Sequence, residues 1–231
     1  QMGDWWYLIF SEFSETVQTR YRYSRSLNGP WLSPPNDTFD GRAFYAAKTA
    51  SDGQKRYLFG WNPTRLDNQD YHKWQWGGNL VVHELIQSED GTLQVKLPDS
   101  VNSFFSSPYQ MVLSPGLGDC TSGEKTICIN APHSFGCATF GDLPSSCKIQ
   151  GIIRFDQGTR GCGLMLRTSD DFEKAYYIRF EPNWSRLVFD SWPRAGDLPF
   201  MVELERPVVL SPGKDIPVTV LIENSICEVY V

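Results

Sequence analysis

The 231-residue sequence predicts an all-β protein. Three observations predict it. Aromatic and β-branched runs of strand length recur along the chain, and no long stretch holds a 3.6-residue apolar period. Two pairs of such runs flank Asp-Gly turns, "SDGQ" at 51–54 and "SEDG" at 88–91, the strongest short-range hairpin signal. After residue 148, short apolar strands return at spacings of about 8–12 residues, the rhythm of a β-sandwich.

In chain order, "WWYLIFSEF" and "TRYRYSRS" read as paired strands across a polar turn, and "NGPW" breaks the run with Gly-Pro. "FYAAKTA" and "KRYLFGW" form the first Asp-Gly hairpin, "GGNLVVHELIQ" and "LQVKL" the second. "GDWWYLIFSE" and "GQKRYLFGWN" repeat a pattern about 50 residues apart, a period that suits four-stranded propeller blades. From 98 to 148 the composition turns to Pro, Ser, Gly and Cys, with a helical turn expected within "SVNSFFSSPYQMVL". The strands that follow are "CKIQGIIRF", "GCGLMLRTS", "AYYIRFEP", "RLVFDSW", "FMVELERPVVL", "IPVTVLIEN" and "ICEVYV". The expected division is therefore 1–97, propeller blades, and 98–231, a sandwich with an irregular lead-in.

Composition excludes several functions. Net charge is −6, pI is about 5.1, and no basic stripe exists to follow a phosphate backbone, so nucleic acid is not an expected partner. No apolar run approaches the ~18 residues of a membrane span. The expectation is a soluble protein, cytoplasmic or secreted; "QMGDWWYLIF" is read as a strand, not a signal peptide. The six cysteines lack a close C-x-x-C pair and the three histidines are scattered, so neither metal nor other cofactor is expected, and buried free thiols are. There is no G-x-S-x-G elbow and no phosphate loop.

Aromatics make up 14% of the chain, with eight Trp, which suits sugar stacking as well as core packing. Glycoside hydrolysis needs two flanking carboxylates. The candidates in the first part are Asp4, Glu12, Glu15, Asp37, Asp40, Asp52, Asp67, Asp70 and Glu84. Most sit in turns, where Asp bonds its own backbone; Asp52 in "SDGQ" is of that kind. Asp40 stands instead before an aromatic strand. Trp61 ends a strand after Gly60, Trp74 and Trp76 are placed to line a groove, and His83 and Glu84 alternate, so one of the two is expected to face inward.

Taken together, several segments resemble the family 32 glycoside hydrolases, the invertase, levanase and inulinase family. "MGDWWYLIFSE" is similar to the strand after the family's Glu-Cys-Pro-Asp acid/base motif, and "YRYSRSLNGPW" to the outer part of that blade. "FDGRAFYAAKTASDGQKRYLFGWN" resembles its Asp, Tyr-Ala, Gly-Trp stretch. "WQWGGNLVVHEL" resembles its Trp-(Ala/Gly)-Gly…Pro-Arg-Glu-Leu stretch, with Val82 and His83 where Pro and Arg are common, and "ENSICEVYV" a strand near the end of its sandwich.

The resemblance implies the last two blades of a five-bladed propeller followed by a β-sandwich, and a parent enzyme that cleaves fructosides such as sucrose, levan or inulin with retention. It also implies that Asp40 hydrogen-bonds substrate hydroxyls, that Trp61 lines the fructose pocket and that Arg42 belongs to the same wall. The family's Asn-Asp-Pro-Asn nucleophile and Arg-Asp-Pro motifs do not occur here, and its acid/base Glu would precede Gln1. The chain is thus expected to be a fragment cut at both ends, without catalytic residues and inactive alone, its exposed sheet surfaces covered by self-association or by an upstream segment. The alternative reading is a non-catalytic carbohydrate-binding or structural protein, whose sandwich offers Trp184, Trp192, Tyr176 and Tyr177.

Overall fold

A computed structural model describes residues 1–231 except 15, 124 and 198, and all of residue 115 but its side chain. Glu15, one of the candidate carboxylates, lies outside the described residues. The chain is all-β, a partial propeller followed by a sandwich.

β1 (Trp6–Glu12) and β2 (Gln18–Ser24) pair antiparallel, Trp6 opposite Ser24. β2 is bridged on its far side at Thr38 and Leu32. β3 (Tyr45–Ser51), β4 (Arg56–Arg65), β5 (Trp74–Gln87) and β6 (Leu93–Lys96) form a four-stranded antiparallel sheet in chain order. β1 and β4 are the two copies of the sequence repeat, and each is paired to the strand that follows it. The Asp-Gly turn between β3 and β4 is closed by Asp52, whose Oδ1 accepts the N–H groups of Gln54 (2.8 Å) and Lys55 (2.7 Å). Asp90 does the same for Thr92 in the second turn, at 2.9 Å.

The two sheets share one core of Tyr21, Phe39, Phe44, Leu58, Val81, Leu85 and Leu93. Each such side chain contributes roughly 1.5–3 kcal/mol by leaving water. Phe44 lies flat over Gly60, where a Cβ would stand 2.4 Å from its ring. That close approach is the physical reason for Gly in "LFGW".

The expectation that only one of His83 and Glu84 faces inward needs correction: both are buried, at 4% and 3% exposure. Alternation does send them to opposite faces, but β5 is covered on both. His83 packs on the Phe44 ring, centroids 5.2 Å apart, while Glu84 is capped by Lys55 (3.0 Å) and Lys96 (3.2 Å).

The helical turn expected after residue 98 is present as α1 (Asp99–Asn102). The irregular stretch beyond it carries two ribbons that sequence reading passed over. β7 (Leu113–Leu117) pairs with β10 (Cys137–Phe140), and β8 (Asp119–Ser122) with β9 (Ile127–Asn130). These ribbons bury little, and every residue of β9 is exposed, so they carry no clear inside-outside alternation to detect.

The sandwich follows. Its three-stranded sheet is β11 (Ser146–Ile153), β16 (Ile216–Glu223) and β17 (Ile226–Tyr230). Its four-stranded sheet is β12 (Cys162–Leu166), β13 (Ala175–Glu181), β14 (Arg186–Trp192) and β15 (Leu204–Pro207). Alternate residues of β16, Ile216, Val218, Val220 and Ile222, meet Leu166, Ile178 and Phe180 in a second core. Tyr176 shares that inward face, as the alternation at 176–177 requires, and stacks on Phe189 with centroids 6.2 Å apart.

All six cysteines are free thiols; Cys137 is buried and Cys128 exposed. No helix among the described residues is long and apolar enough to cross a membrane.

Candidate functional site

Asp40 lies on the segment between β2 and β3, held between the buried rings of Phe39 and Phe44. These anchors place its carboxylate against β5, with about a third of the side chain in solvent. Oδ1 accepts the N–H of Gly41 at 2.6 Å, and Oδ2 lies 2.9 Å from His83 Nε2. Burial alone would push this carboxyl up. The His83 hydrogen bond and charge, the Gly41 N–H and the nearby Arg206 outweigh burial and hold it below the usual aspartate range.

The sandwich reaches this segment directly. From β15, the Arg206 guanidinium donates to the Asp40 carbonyl (2.8 Å) and the Thr38 carbonyl (2.9 Å). Leu204 packs on Gly41, 3.3 Å from where a Cβ would stand. Arg42 donates to the Glu203 carbonyl at 2.9 Å, so its guanidinium joins the two parts of the chain. From β17, Tyr230 Oη lies 2.9 Å from His83 Nδ1 and 2.6 Å from Glu228 Oε2. Burial pushes both the Glu228 carboxyl and the Tyr230 phenol up. Arg65 completes the junction, stacked on Trp74 (4.0 Å to the ring centroid) and bonded to Asp197 at 2.9 Å.

Trp61 has a different setting. Cross-strand register sets Tyr45 opposite Trp61 and Trp61 opposite Leu80, with Trp76 on the same face of β5 as Leu80. The Trp61 ring meets Trp76 and Tyr45 edge to face, centroids 5.2 and 5.7 Å apart, and Phe13 adds a further edge against Trp76 at 5.7 Å. Trp61 is half-buried, whereas Trp76 and Phe13 are exposed at 63% and 73%. The result is a cluster of four rings open to solvent.

The fold therefore gives the three predicted site residues distinct neighbours: Asp40 pairs with His83, Arg42 with Glu203, and Trp61 with other aromatic rings. The remaining candidate acids are largely committed. Glu12 pairs with Arg20, Asp37 with Arg20 and Arg22, Asp4 with Arg25, Asp67 with His72, and Asp70 accepts from Tyr176. Among the described residues no group of three or more His, Cys, Asp and Glu is arranged to hold a metal ion.

Sequence reading missed Arg206, Tyr230 and Glu228. Nothing local marks them, because each acts across more than 140 positions of chain. The one available signal was His83, noted as a departure from the Arg common at its place.

The architecture defines a class first: an all-β chain in which propeller strands are buttressed by a sandwich. No family model and no curated protein matches the sequence. Among solved structures, the chain is similar to an exo-inulinase from Aspergillus awamori, with a TM-score of 0.58 and 16% identity over 97% of this chain. A xylan β-1,4-xylosidase from Bacillus halodurans (12% identity, 100% of this chain, 52% of that one) superposes far less closely, at 0.34. The GH43B protein of a Bacteroides ovatus xyloglucan locus (12%, 99% and 55%) reaches 0.32. The chain covers 45% of the exo-inulinase, and what it shares with that carbohydrate hydrolase is the fold.

Proposed function

We propose that this chain is the C-terminal part of a family 32 glycosidase that hydrolyses fructosides of the sucrose, levan or inulin type with retention. It would comprise blade strands in 1–97 and the sandwich in 98–231. One observation carries the reading: nearly the whole chain, in order, superposes on an exo-inulinase. The quoted motif resemblances support the same family independently.

In this reading the reacting carboxylates lie outside these 231 residues. An Asp attacks the anomeric carbon while a Glu protonates the leaving oxygen; the same Glu then activates the water that frees the fructosyl-enzyme. No metal or organic cofactor takes part. The chain here supplies wall and support. A carboxylate offers about four lone-pair sites, and Asp40 spends two, on Gly41 and His83. Its exposed part retains capacity for two sugar hydroxyls. Trp61, through the ring cluster it organises, supplies the apolar wall, and Arg42 fixes the segment that carries Asp40.

A second reading keeps one observation of its own. Trp184, at the β13–β14 turn, is 73% exposed with the Arg186 guanidinium 5.7 Å from its ring centroid, an arrangement open to a sugar face in a non-catalytic binding protein.

The test is the parent protein. With its upstream residues it should release reducing sugar from sucrose, levan or inulin and give the retained anomer first in a time-resolved NMR assay, while the 231-residue chain alone releases none. An upstream sequence lacking both the Asp and the Glu would remove the hydrolase reading.

A further inference from the structure

We infer that Asp40, His83, Tyr230 and Glu228 form one proton-sharing chain that latches β17 of the sandwich to the four-stranded sheet, and that rising pH opens it. The inference needs no sugar and stands apart from the proposed function.

Counting hydrogens gives the argument. Three contacts link the four groups in a row: Asp40 Oδ2 to His83 Nε2 (2.9 Å), His83 Nδ1 to Tyr230 Oη (2.9 Å), and Tyr230 Oη to Glu228 Oε2 (2.6 Å). Each needs one hydrogen, and the Asp40 carboxylate brings none. If Glu228 is ionised, the phenol donates to it and the imidazole must donate from both nitrogens, as a cation. If Glu228 keeps its proton, it donates to the phenol, the phenol to Nδ1, and a neutral imidazole to Asp40. The two arrangements hold the same protons and the same net charge, and they interconvert by shifting protons along the row.

Removal of one more proton leaves two hydrogens for three contacts. Two acceptors then face each other within hydrogen-bond distance, buried against Phe44. That contact becomes repulsive, and the strand end bearing Glu228 and Tyr230 loses its hold on β5. The charged and titratable groups facing the row are Asp40 and Arg206 from the junction and Glu228 and Tyr230 from β17; on the β4 side the cross-strand neighbour of His83 is the apolar Leu58. Burial raises the Glu228 carboxyl, which favours keeping the shared proton. A proton held more tightly folded than unfolded stabilises at low pH and is lost as pH rises.

The test uses the 231-residue chain, its Glu228→Gln and Tyr230→Phe variants, and urea unfolding from pH 5 to 9. The Gln amide donates to the phenol as a protonated carboxyl would but cannot lose a proton. The unmodified chain should lose about tenfold in its folding equilibrium constant across one pH step, the worth of about one hydrogen bond. Glu228→Gln should lack that step and Tyr230→Phe should stay at the weakened level throughout. A Glu228→Gln profile that parallels the unmodified chain would overturn the inference. So would an unmodified chain whose stability does not fall between pH 5 and 9, a result that needs no variant to fold.

Discussion

His83 Nε2 stands 2.9 Å from the Asp40 carboxylate, and 43 residues of chain separate the two. The contact joins β5, an inner strand of the four-stranded sheet, to the segment that the sandwich grips through Arg206. One carboxylate thus serves as the proposed sugar ligand and as the pivot of the junction.

Replacing that carboxylate with its amide tests the pivot. Asp40→Asn keeps an acceptor but removes the charge facing His83, and should cost roughly 1.5–3 kcal/mol, the range of a hydrogen bond to a charged group. The depressed Asp40 carboxyl contributes stability that is present above the ordinary aspartate range and lost as pH falls through its folded value. Urea unfolding should therefore show the unmodified chain converging on the Asn variant below about pH 4. A constant gap between the two down to pH 2 would contradict a depressed Asp40 carboxyl.

Gly60→Ala should destabilise by roughly 1–3 kcal/mol, the usual penalty of overpacking, because the added methyl meets the Phe44 ring at 2.4 Å. Phe44 is 1% exposed, packed within the first core. Trimming that ring should relieve the clash, so Gly60→Ala combined with Phe44→Leu should cost less than the sum of the single changes in a double-mutant cycle. Strict additivity would show that the contact does not limit this site.

Arg206→Met should uncouple the two cores. It removes the guanidinium from the Asp40 and Thr38 carbonyls while keeping most of the apolar stem. Calorimetry should show the unfolding endotherm broaden or split relative to the unmodified chain. Arg206→Lys should behave like Arg206→Met, since an ammonium cannot reproduce the planar fork that reaches both carbonyls. A single sharp transition in all three proteins would mean that the cores are joined chiefly elsewhere.

The ring cluster separates the two functional readings. Trp76→Ala should barely change stability, since the side chain is 63% exposed, yet should weaken binding of an inulin oligosaccharide by at least about tenfold if this face meets sugar. Trp184→Ala should leave that affinity unchanged. The reverse pattern in a titration by tryptophan fluorescence would favour the sandwich as the binding module.

The thiols offer a chemical check on the packing. Burial pushes the Cys227 thiol up to about 12 and raises Cys162 as well, whereas Cys128 is exposed. At pH 8 an alkylating reagent should label Cys128 first and leave Cys227 and Cys162 until the chain unfolds, because the thiolate is the reacting form. Early labelling of Cys227, read by peptide mass, would show that β17 is not packed as described.

Local chemistry made much of this protein legible. The short apolar run "IPVTVLIEN" marked β16, whose four alternate residues fill the second core, and Asp-Gly marked both hairpin turns. The repeat of "WWYLIF" and "RYLFGW" marked β1 and β4, each paired to the strand that follows it. Those signals suffice because strand identity and turn type depend on near neighbours. The ribbons after residue 98 escaped for the complementary reason: they are too exposed for burial to impose a repeating pattern.

What the tertiary structure alone decided is the company each functional side chain keeps. Sequence singled out Asp40, Trp61 and Arg42, but the fold gave them different partners. It also buried both His83 and Glu84 by covering β5 on two sides, and brought Arg206, Glu228 and Tyr230 to a segment more than 140 residues away in the chain. Alternation tells which way a residue points; it does not tell what stands there, because that depends on how separate sheets pack.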